Sequence, residues 1–285
     1  MRPVEGRRAF RLYLPDGRQA PRHRLCGSCA VQRYNPSRSG SRIKTYFYYS
    51  QIVILKLNTH YTYFLILACS LAGPLALSFD KKVEFYKKWN AAFTAMLLPA
   101  VFYIFWDGIF THLQVWFFNE QYVVAKTFIY NLPLEEVLFF FIVPYCCTFI
   151  YECIRTYYPA VKTTKASDTV LFVLAVLLLI MSVFTRHLYY TFYTCIFLSG
   201  FIFLFFIFRK YFVDFNSKAF LIAYLIILIP FLIVNGFLTS IPVITYNNNE
   251  NLAMRIYTIP VEDIFYGMLL VMMNIVGYEK LLKRA

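Results

Sequence analysis

Two short acidic motifs stand 127 residues apart in the chain, and each begins with a proline. The motifs are Pro133-Leu134-Glu135-Glu136 and Pro260-Val261-Glu262-Asp263. Proline suits the first turn of a helix because its missing N–H is not needed there, and acidic side chains near a helix N-terminus are stabilised by the helix dipole. Ordinary capping explains one such motif, but its recurrence favours a site where carboxyl groups transfer protons.

The spacing places these acids inside the boundary of a membrane. The apolar run that follows the first motif, Val137–Tyr151, has 15 residues, whereas about 20 are needed to cross a bilayer. The helix is therefore expected to include the motif, although a charged group within a membrane costs a few kcal/mol. Burial and a neighbouring carboxylate disfavour the charged form, and the helix N-terminus favours it. Each motif is expected to hold one neutral acid beside one ionised base.

Aromatic and histidine side chains near the motifs are candidates for stabilising a cationic intermediate. Phe139 and Tyr266 each lie four residues after the first acid of a motif, on the same helix face. Trp106 precedes the loop that leads to the first motif, and His60 and His187 begin two apolar runs on the predicted side of the acids. Aromatic ring faces attract cations, although aromatic residues also collect at membrane interfaces for structural reasons.

The elements that must position these residues are membrane helices. The chain is 60% hydrophobic and 15% charged, whereas soluble domains are about 45–50% apolar and about 25% charged. Backbone polar groups in lipid must bond within their own segment, so long apolar runs are predicted to be helices. The sequence contains seven such runs, of which the second and fourth are short: Tyr61–Phe79, Ala91–Trp106, Leu134–Tyr151, Val170–Thr185, Leu188–Phe208, Ala219–Leu238 and Val261–Tyr278.

The apolar part of the chain contains an internal repeat. A shift of 127 residues superimposes the two acidic motifs on each other. The same shift places His60-Tyr61-Thr62-Tyr63 on His187-Leu188-Tyr189-Tyr190 and Tyr151-Glu152 on Tyr278-Glu279, and with one gap Asp107-Gly108 meets Asn235-Gly236. Glu152 and Glu279 are interpreted as anchors at the opposite interface. The set of matches indicates duplication rather than chance.

The repeat predicts an all-α membrane protein of about seven transmembrane helices. Each repeat holds three helices, and the fourth helix links them and restores the direction of the second copy. The expected divisions are a basic extension at 1–55, a first repeat at 56–156, a linking segment at 157–186 and a second repeat at 187–285. Two parallel repeats are related by a pseudo-twofold axis along the membrane normal, which brings equivalent residues together around a central site.

Charge reports topology rather than nucleic-acid binding. The net charge is +13, but twelve of the 28 Lys and Arg residues lie before the first apolar run. That segment is rich in Arg, Gly, Pro and Ser and is expected to be disordered, either as a native extension or as a start-site artefact. The basic loops place the C-terminus in the cytoplasm by the positive-inside rule, so a multi-pass protein of a cell membrane, such as the bacterial inner membrane, is expected.

The repeated Pro-x-Glu-Glu/Asp motifs and the linking helix resemble the lycopene cyclase domain family over residues 60–282. The chain looks like a fused form of the cyclases that occur elsewhere as two small membrane subunits. The resemblance implies a lycopene β-cyclase, an isomerase of the intramolecular lyase type that forms β-carotene rings. It assigns the catalytic role to Glu135, Glu136, Glu262 and Asp263, of which the last departs from a symmetric Glu-Glu pair.

The resemblance implies no flavin, and the sequence has no G-x-G-x-x-G, P-loop or H-E-x-x-H motif. Neither a cofactor nor a metal is therefore expected. The expected partners are lycopene or a related polyene and the lipid bilayer, with other carotenoid enzymes or further copies of the chain as candidates. Three alternatives stay open: a cyclase acting on another carotenoid, a proton-coupled transporter, and a non-catalytic carotenoid-binding subunit.

Overall fold

A computed structural model of the chain describes residues 60–124, 129–212 and 214–283. The predicted basic extension, 1–55, and the predicted start of the first repeat lie outside the described residues. Within the described part the chain forms α1 (Thr62–Leu77), α2 (Trp89–His112), α3 (Leu134–Tyr157), α4 (Lys165–Phe184), α5 (Tyr189–Ile207), α6 (Ser217–Ser240) and α7 (Glu262–Leu282). Four short strands lie in the loops: β1 (Trp116–Phe118), β2 (Ile244–Tyr246), β3 (Arg255–Ile256) and β4 (Ile259–Pro260).

The helices have the length and composition of membrane spans. Six of those described are long and apolar enough to cross a bilayer, and α1 is a shorter apolar helix of 16 residues. Large apolar side chains on the outer faces are exposed, for example Leu98 at 75% and Ile207 at 71%, as expected where lipid replaces water. The all-α membrane fold is therefore confirmed.

The lengths of three helices differ from the prediction. The second and fourth apolar runs were expected to be short, but α2 has 24 residues and α4 has 20. Helix α2 begins at Trp89, outside the run, and continues past it through the buried Asp107. The short helix is instead α1. A charge marks the end of an apolar run but not the end of a helix, because a buried polar residue can continue the helix where other side chains bond to it.

Local signals explain where several helices begin. Pro133 has an extended backbone immediately before α3, and Glu135 and Glu136 occupy the first turn, as the motif predicts. Thr164 and Ser167 form a reciprocal capping box at the start of α4. The side chain of Asn216 caps α6 by accepting a hydrogen bond from the backbone N–H of the third residue of that helix.

The two repeats pack around a pseudo-twofold axis. Helix α2 packs against α7, and the equivalent pair α3 and α6 also packs together. Strand β1 of the first repeat pairs antiparallel with β2, the equivalent strand of the second repeat. The predicted parallel arrangement places the N-termini of α1, α3, α5 and α7 at one end of the bundle.

The opposite end is joined by a symmetric exchange of hydrogen bonds. Tyr151 donates to Glu279 at 2.5 Å, and Tyr278 donates to Glu152 at 2.9 Å. We call these four residues the tyrosine–glutamate clamp. Arg155 adds ion pairs to both carboxylates, at 3.0 and 3.3 Å. Glu152 and Glu279 do lie at the far end, but they are buried and bond to the other repeat rather than facing the lipid interface.

Candidate active site

A cavity of about 220 Å³ lies between α1, α3, α6 and α7, and its upper end contains the acids. We call it the substrate cavity. Along α3 it is lined from Glu136 to Ile150, and this separation corresponds to ~21 Å at a rise of 1.5 Å per residue. Side chains such as Val143, Val234 and Leu270 make the lower part apolar. The cavity is therefore a long apolar slot with one polar end.

Three buried carboxyl groups line the polar end. Glu136 comes from the first turn of α3, Asp263 from the first turn of α7, and Asp107 from the last part of α2. Their residues are 6%, 4% and 2% exposed, respectively. Both repeats contribute to this single set of carboxyl groups, as the pseudo-twofold axis requires.

Glu136 and Asp107 form a carboxyl pair. Their side chains are close enough to interact at the polar end of the cavity. Each also accepts a hydrogen bond from a tyrosine: Tyr63 donates to Glu136 at 2.7 Å, and Tyr266 donates to Asp107 at 2.5 Å. Two neighbouring buried carboxyl groups favour a state with one proton between them, because two carboxylates repel each other.

Asp263 has different surroundings. Its two oxygens accept hydrogen bonds from Tyr190 at 2.6 Å and from Tyr246 at 3.0 Å. Tyr246 belongs to β2, and desolvation by the surrounding protein, followed by the charge of Asp263, raises the pKa of its hydroxyl well above the usual value. Tyr246 therefore stays protonated and donates. Two donated hydrogen bonds favour an ionised carboxylate.

The first acid of each motif occupies a different position. Glu135 accepts a hydrogen bond from the backbone N–H of Val124 at 2.6 Å, and Glu262 accepts the equivalent bond from Leu252 at 2.8 Å. Glu262 also accepts from Thr191 at 2.6 Å. Both side chains are buried, but neither lines the substrate cavity. The four motif acids thus have two different positions. Glu136 and Asp263 line the cavity, whereas Glu135 and Glu262 bond to the loops that precede their helices.

The predicted aromatic residues lie at the site, some in direct contact with the cavity and one behind it. Phe139 and Tyr266 line the cavity. Trp106 packs against Tyr266, with ring centroids 5.0 Å apart, without lining the cavity. Trp116 lines it and lies 5.2 Å from the ring of Tyr190. Several ring faces and edges therefore surround the carboxyl groups.

The predicted histidines are not brought to the site. His60 and His187 are exposed, and neither lines the cavity. The Nδ1 atom of His60 lies 3.2 Å from the backbone carbonyl oxygen of Glu120. Both histidines lie at the end of the bundle that contains the acids, as predicted. They belong to the turns that precede α1 and α5, however, and their side chains are exposed.

Sequence reasoning missed four polar residues of the site, although signals for three of them were present. Tyr63 and Tyr190 are equivalent tyrosines in the repeat, and each lies three positions after a repeated histidine, His60 or His187. Asp107 also belongs to the repeat match, opposite Asn235. Tyr246 has no such signal, because its equivalent is Phe118.

Comparison with known proteins identifies the family of the chain. The family model described as "Lycopene cyclase" matches it twice, at residues 60–154 and 187–281. No curated protein and no solved structure matches the chain. The two matches include both acidic motifs and Asp107, and they leave out α4. Because together they cover more than half of the sequence, the chain belongs to the lycopene cyclase family.

Proposed function

We propose that the protein is a lycopene β-cyclase that closes rings by acid–base chemistry with no net redox change. Membership of the lycopene cyclase family supports carotenoid cyclase activity in general. The observation that carries the finer proposal is the set of three buried carboxyl groups at the end of an apolar slot. Two of these carboxyl groups, Asp107 and Glu136, are close neighbours, and the third accepts hydrogen bonds from two tyrosines.

The shape of the cavity suits one end of a polyene hydrocarbon. A pocket that encloses a drug-sized ligand is typically about 300–1,000 Å³, so a cavity of about 220 Å³ holds part of lycopene rather than all of it. The acyclic end would lie at the carboxyl groups, and the adjoining polyene would follow the apolar lining. Burial of hydrocarbon against Val143, Val234 and Leu270 would fix this orientation without polar contacts.

The pair of Asp107 and Glu136 is the proposed general acid. The proton shared by this pair is transferred to C2 of the end group, which leaves a cation at C1. The electrons of the C5–C6 double bond then form the C1–C6 bond, and the positive charge moves to C5. Transfer of the shared proton leaves both carboxyl groups of the pair ionised, and the hydroxyl groups of Tyr63 and Tyr266 are positioned to stabilise the added negative charge.

Asp263 is the proposed general base. It removes the proton from C6, which places the double bond between C5 and C6 and completes the β-ionone ring. The hydrogen bonds from Tyr190 and Tyr246 hold its carboxylate in place before the reaction. One proton has then left the acid pair and one has reached Asp263, so a proton transfer within the site restores the enzyme.

Aromatic rings are proposed to stabilise the cation between these two steps. Phe139, Trp116 and Tyr266 line the cavity beside the carboxyl groups. An aromatic face within about 6 Å of a cation contributes about 0.5–2 kcal/mol. The same rings exclude water, which would otherwise trap the cation as an alcohol.

Glu135 and Glu262 are proposed to act as positioning residues. Each accepts a backbone N–H from the loop that precedes its helix. This bond fixes the first turn of the helix, and the next residue of that turn is Glu136 or Asp263. The motif would thus need two acids, one to hold the turn and one to react.

The apolar lining favours a cyclase over a proton-coupled transporter. A relay across the membrane needs polar groups at successive depths. Glu136 and the clamp residue Glu152 are both on α3 and are separated by ~24 Å of helix. The cavity between these depths is lined on α3 by Phe139, Val143, Cys146, Cys147 and Ile150, none of which carries a charge.

Expression in lycopene-accumulating bacteria tests the function. The expected result is conversion of lycopene to carotenoids with β-rings, detected by chromatography and absorption spectra against authentic standards. Membranes with the doubly substituted chain Glu136→Gln and Asp263→Asn, at matched protein level, serve as the control. Unchanged lycopene in cells with confirmed membrane expression would contradict the proposal, and lycopene bound to the purified protein would then indicate a carotenoid-binding subunit. Formation of ε-rings would contradict the β-ring product but not cyclisation.

A further inference from the structure

The two repeats differ in the side chains that surround the position of the substrate cavity. The pseudo-twofold axis relates the cavity to an equivalent position between α2, α3, α5 and α7, so each of the two positions is formed by helices of both repeats. We call the surroundings of the cavity the open half of the bundle and those of its equivalent the closed half. Ser70, Pro230 and Val234 line the cavity. Their equivalents in the other half, at offsets of 127 residues for α1 and 128 for α6, are Phe197, Phe102 and Trp106.

These three aromatic residues, which we call the aromatic plug, fill the equivalent position. The ring of Phe197 lies 5.4 Å from that of Phe102 and 4.8 Å from that of Trp106, both edge-on. The ring of Trp106 in turn lies 5.0 Å from Tyr266. Trp106 is buried, and none of the three plug residues lines the substrate cavity.

The open half has no such contacts, because its side chains are smaller. A serine, a proline and a valine stand where the other half has two phenylalanines and a tryptophan. Interiors are close-packed, so smaller side chains at three equivalent positions leave space that the aromatic rings occupy on the other side of the axis. The carboxyl groups of both repeats converge on this open position, since Asp263 of the second repeat lines the cavity together with Asp107 and Glu136 of the first.

We propose that this duplicated chain holds the polyene in one place only, and that small residues on α1 and α6 keep this place open while the aromatic plug closes its equivalent. The inference rests on the proposed cyclase function. A long polyene lying in the slot presents one of its two ends to the carboxyl groups. The two rings of a two-ring product therefore form in separate binding events, and the one-ring carotenoid leaves the cavity between them.

Transfer of the plug into the open half tests the assignment of the cavity. Ser70→Phe and Val234→Trp place the plug side chains at their equivalent positions, and each should lower ring formation at least about tenfold because the added atoms occupy the slot. Bulk-matched controls are Ala68→Phe on α1 and Ile233→Trp on α6, which add the same side chains at exposed positions. Phe197→Leu in the plug should also keep ring formation, because the plug does not touch the polyene.

Ring formation is measured per unit of protein in the membrane, so that a loss of protein is not read as a loss of activity. Full activity of either Ser70→Phe or Val234→Trp at normal protein level would overturn the inference. A loss with Phe197→Leu that equals the loss with Ser70→Phe would overturn it as well, because both halves would then hold substrate.

A time course with the wild-type chain tests the separate binding events without any substitution. With limiting protein and excess lycopene, the one-ring carotenoid should appear first, accumulate free of the protein and be converted later. Addition of more lycopene should delay the second ring by competition. Appearance of the two-ring product without a free one-ring stage would overturn the inference while leaving the cyclase function intact, whereas absence of any ring would instead refute the proposed function.

Discussion

Phe117 lies directly opposite Thr245 in the antiparallel ladder of β1 and β2, and these two residues occupy equivalent positions of the two repeats. Equivalent residues can face each other in this way only where a twofold axis passes between them. The neighbouring backbone hydrogen bonds obey the same symmetry. The backbone N–H of Asn119 donates to the carbonyl oxygen of Val243, and the backbone N–H of Asn247 donates to that of Val115, each at 2.9 Å. The axis therefore passes between β1 and β2. The carboxyl groups of both repeats meet near these strands.

The two acids of each motif are expected to differ in their effect on the reaction. Glu136→Gln and Asp263→Asn should lower ring formation by about 10²–10⁴-fold, because an amide keeps the shape but cannot transfer the proton. Glu135→Gln and Glu262→Gln should lower it less than tenfold, because the amide oxygen can still accept the backbone N–H. Initial rates in membranes with matched protein levels provide the measurement. Equal losses in all four variants would contradict the division of roles.

Asp107 is expected to be as important as the motif acids. Asp107→Asn gives the first repeat the residue that the second repeat already has, Asn235, so the helix should tolerate it. The shared proton of the acid pair is lost, and ring formation should fall by at least about 10²-fold. Asp168→Asn on α4, which breaks an ion pair with Arg209 away from the cavity, is the matched control. Near-normal activity of Asp107→Asn would remove the carboxyl pair from the mechanism.

The tyrosine–glutamate clamp is expected to affect stability rather than rate. Tyr151→Phe and Tyr278→Phe each remove the donor to a buried carboxylate, which should lower the free energy of unfolding by about 1–3 kcal/mol. Thermal unfolding of the protein in detergent measures this effect, with Tyr157→Phe on the exposed end of α3 as control. A normal unfolding temperature together with lost activity would show that the clamp participates in the reaction instead.

Gly277 is expected to be required for the close approach of α2 and α7. A Cβ atom added at this position would lie 3.3 Å from the Cβ of Ala95, whereas one added at Gly73 would meet no atom within 4 Å. Gly277→Leu should therefore separate the two helices and lower the yield of folded protein, and Gly73→Leu should not. Size-exclusion profiles of the two variants after solubilisation compare them directly. An unchanged Gly277→Leu profile would mean that α2 and α7 can separate at little cost.

The sequence predicts the helices and their arrangement well, because both depend on the length of apolar runs and on the internal repeat. Apolar length predicts helices, and the repeat predicts both their direction and the axis between the halves. The depth of the acids also follows, since fifteen apolar residues after Glu136 cannot span a bilayer. The helix that includes both glutamates of the first motif is present in the structure.

The side-chain arrangement of the site could not be predicted in the same way. Glu135 and Glu136 are adjacent, and only the rotation of α3 about its own axis decides which of them faces the cavity. Asp107 was hidden because its equivalent, Asn235, is not acidic. His60 and His187 were predicted at the site because they recur in both repeats. Recurrence shows that two positions are equivalent, but it does not show that their side chains point into the bundle. The roles of the site residues remain predictions until the variants are measured.

The aromatic plug also bears on what fusion of two copies makes possible. In a symmetric dimer of identical subunits every substitution appears on both sides of the axis. A tryptophan at the position of Trp106 would then close both cavities, and a valine at the position of Val234 would open both. A single polypeptide is free of this restriction, so one side of the axis can be filled with aromatic rings while the other stays open. Neither repeat then has a function of its own, since each contributes residues both to the plug and to the cavity.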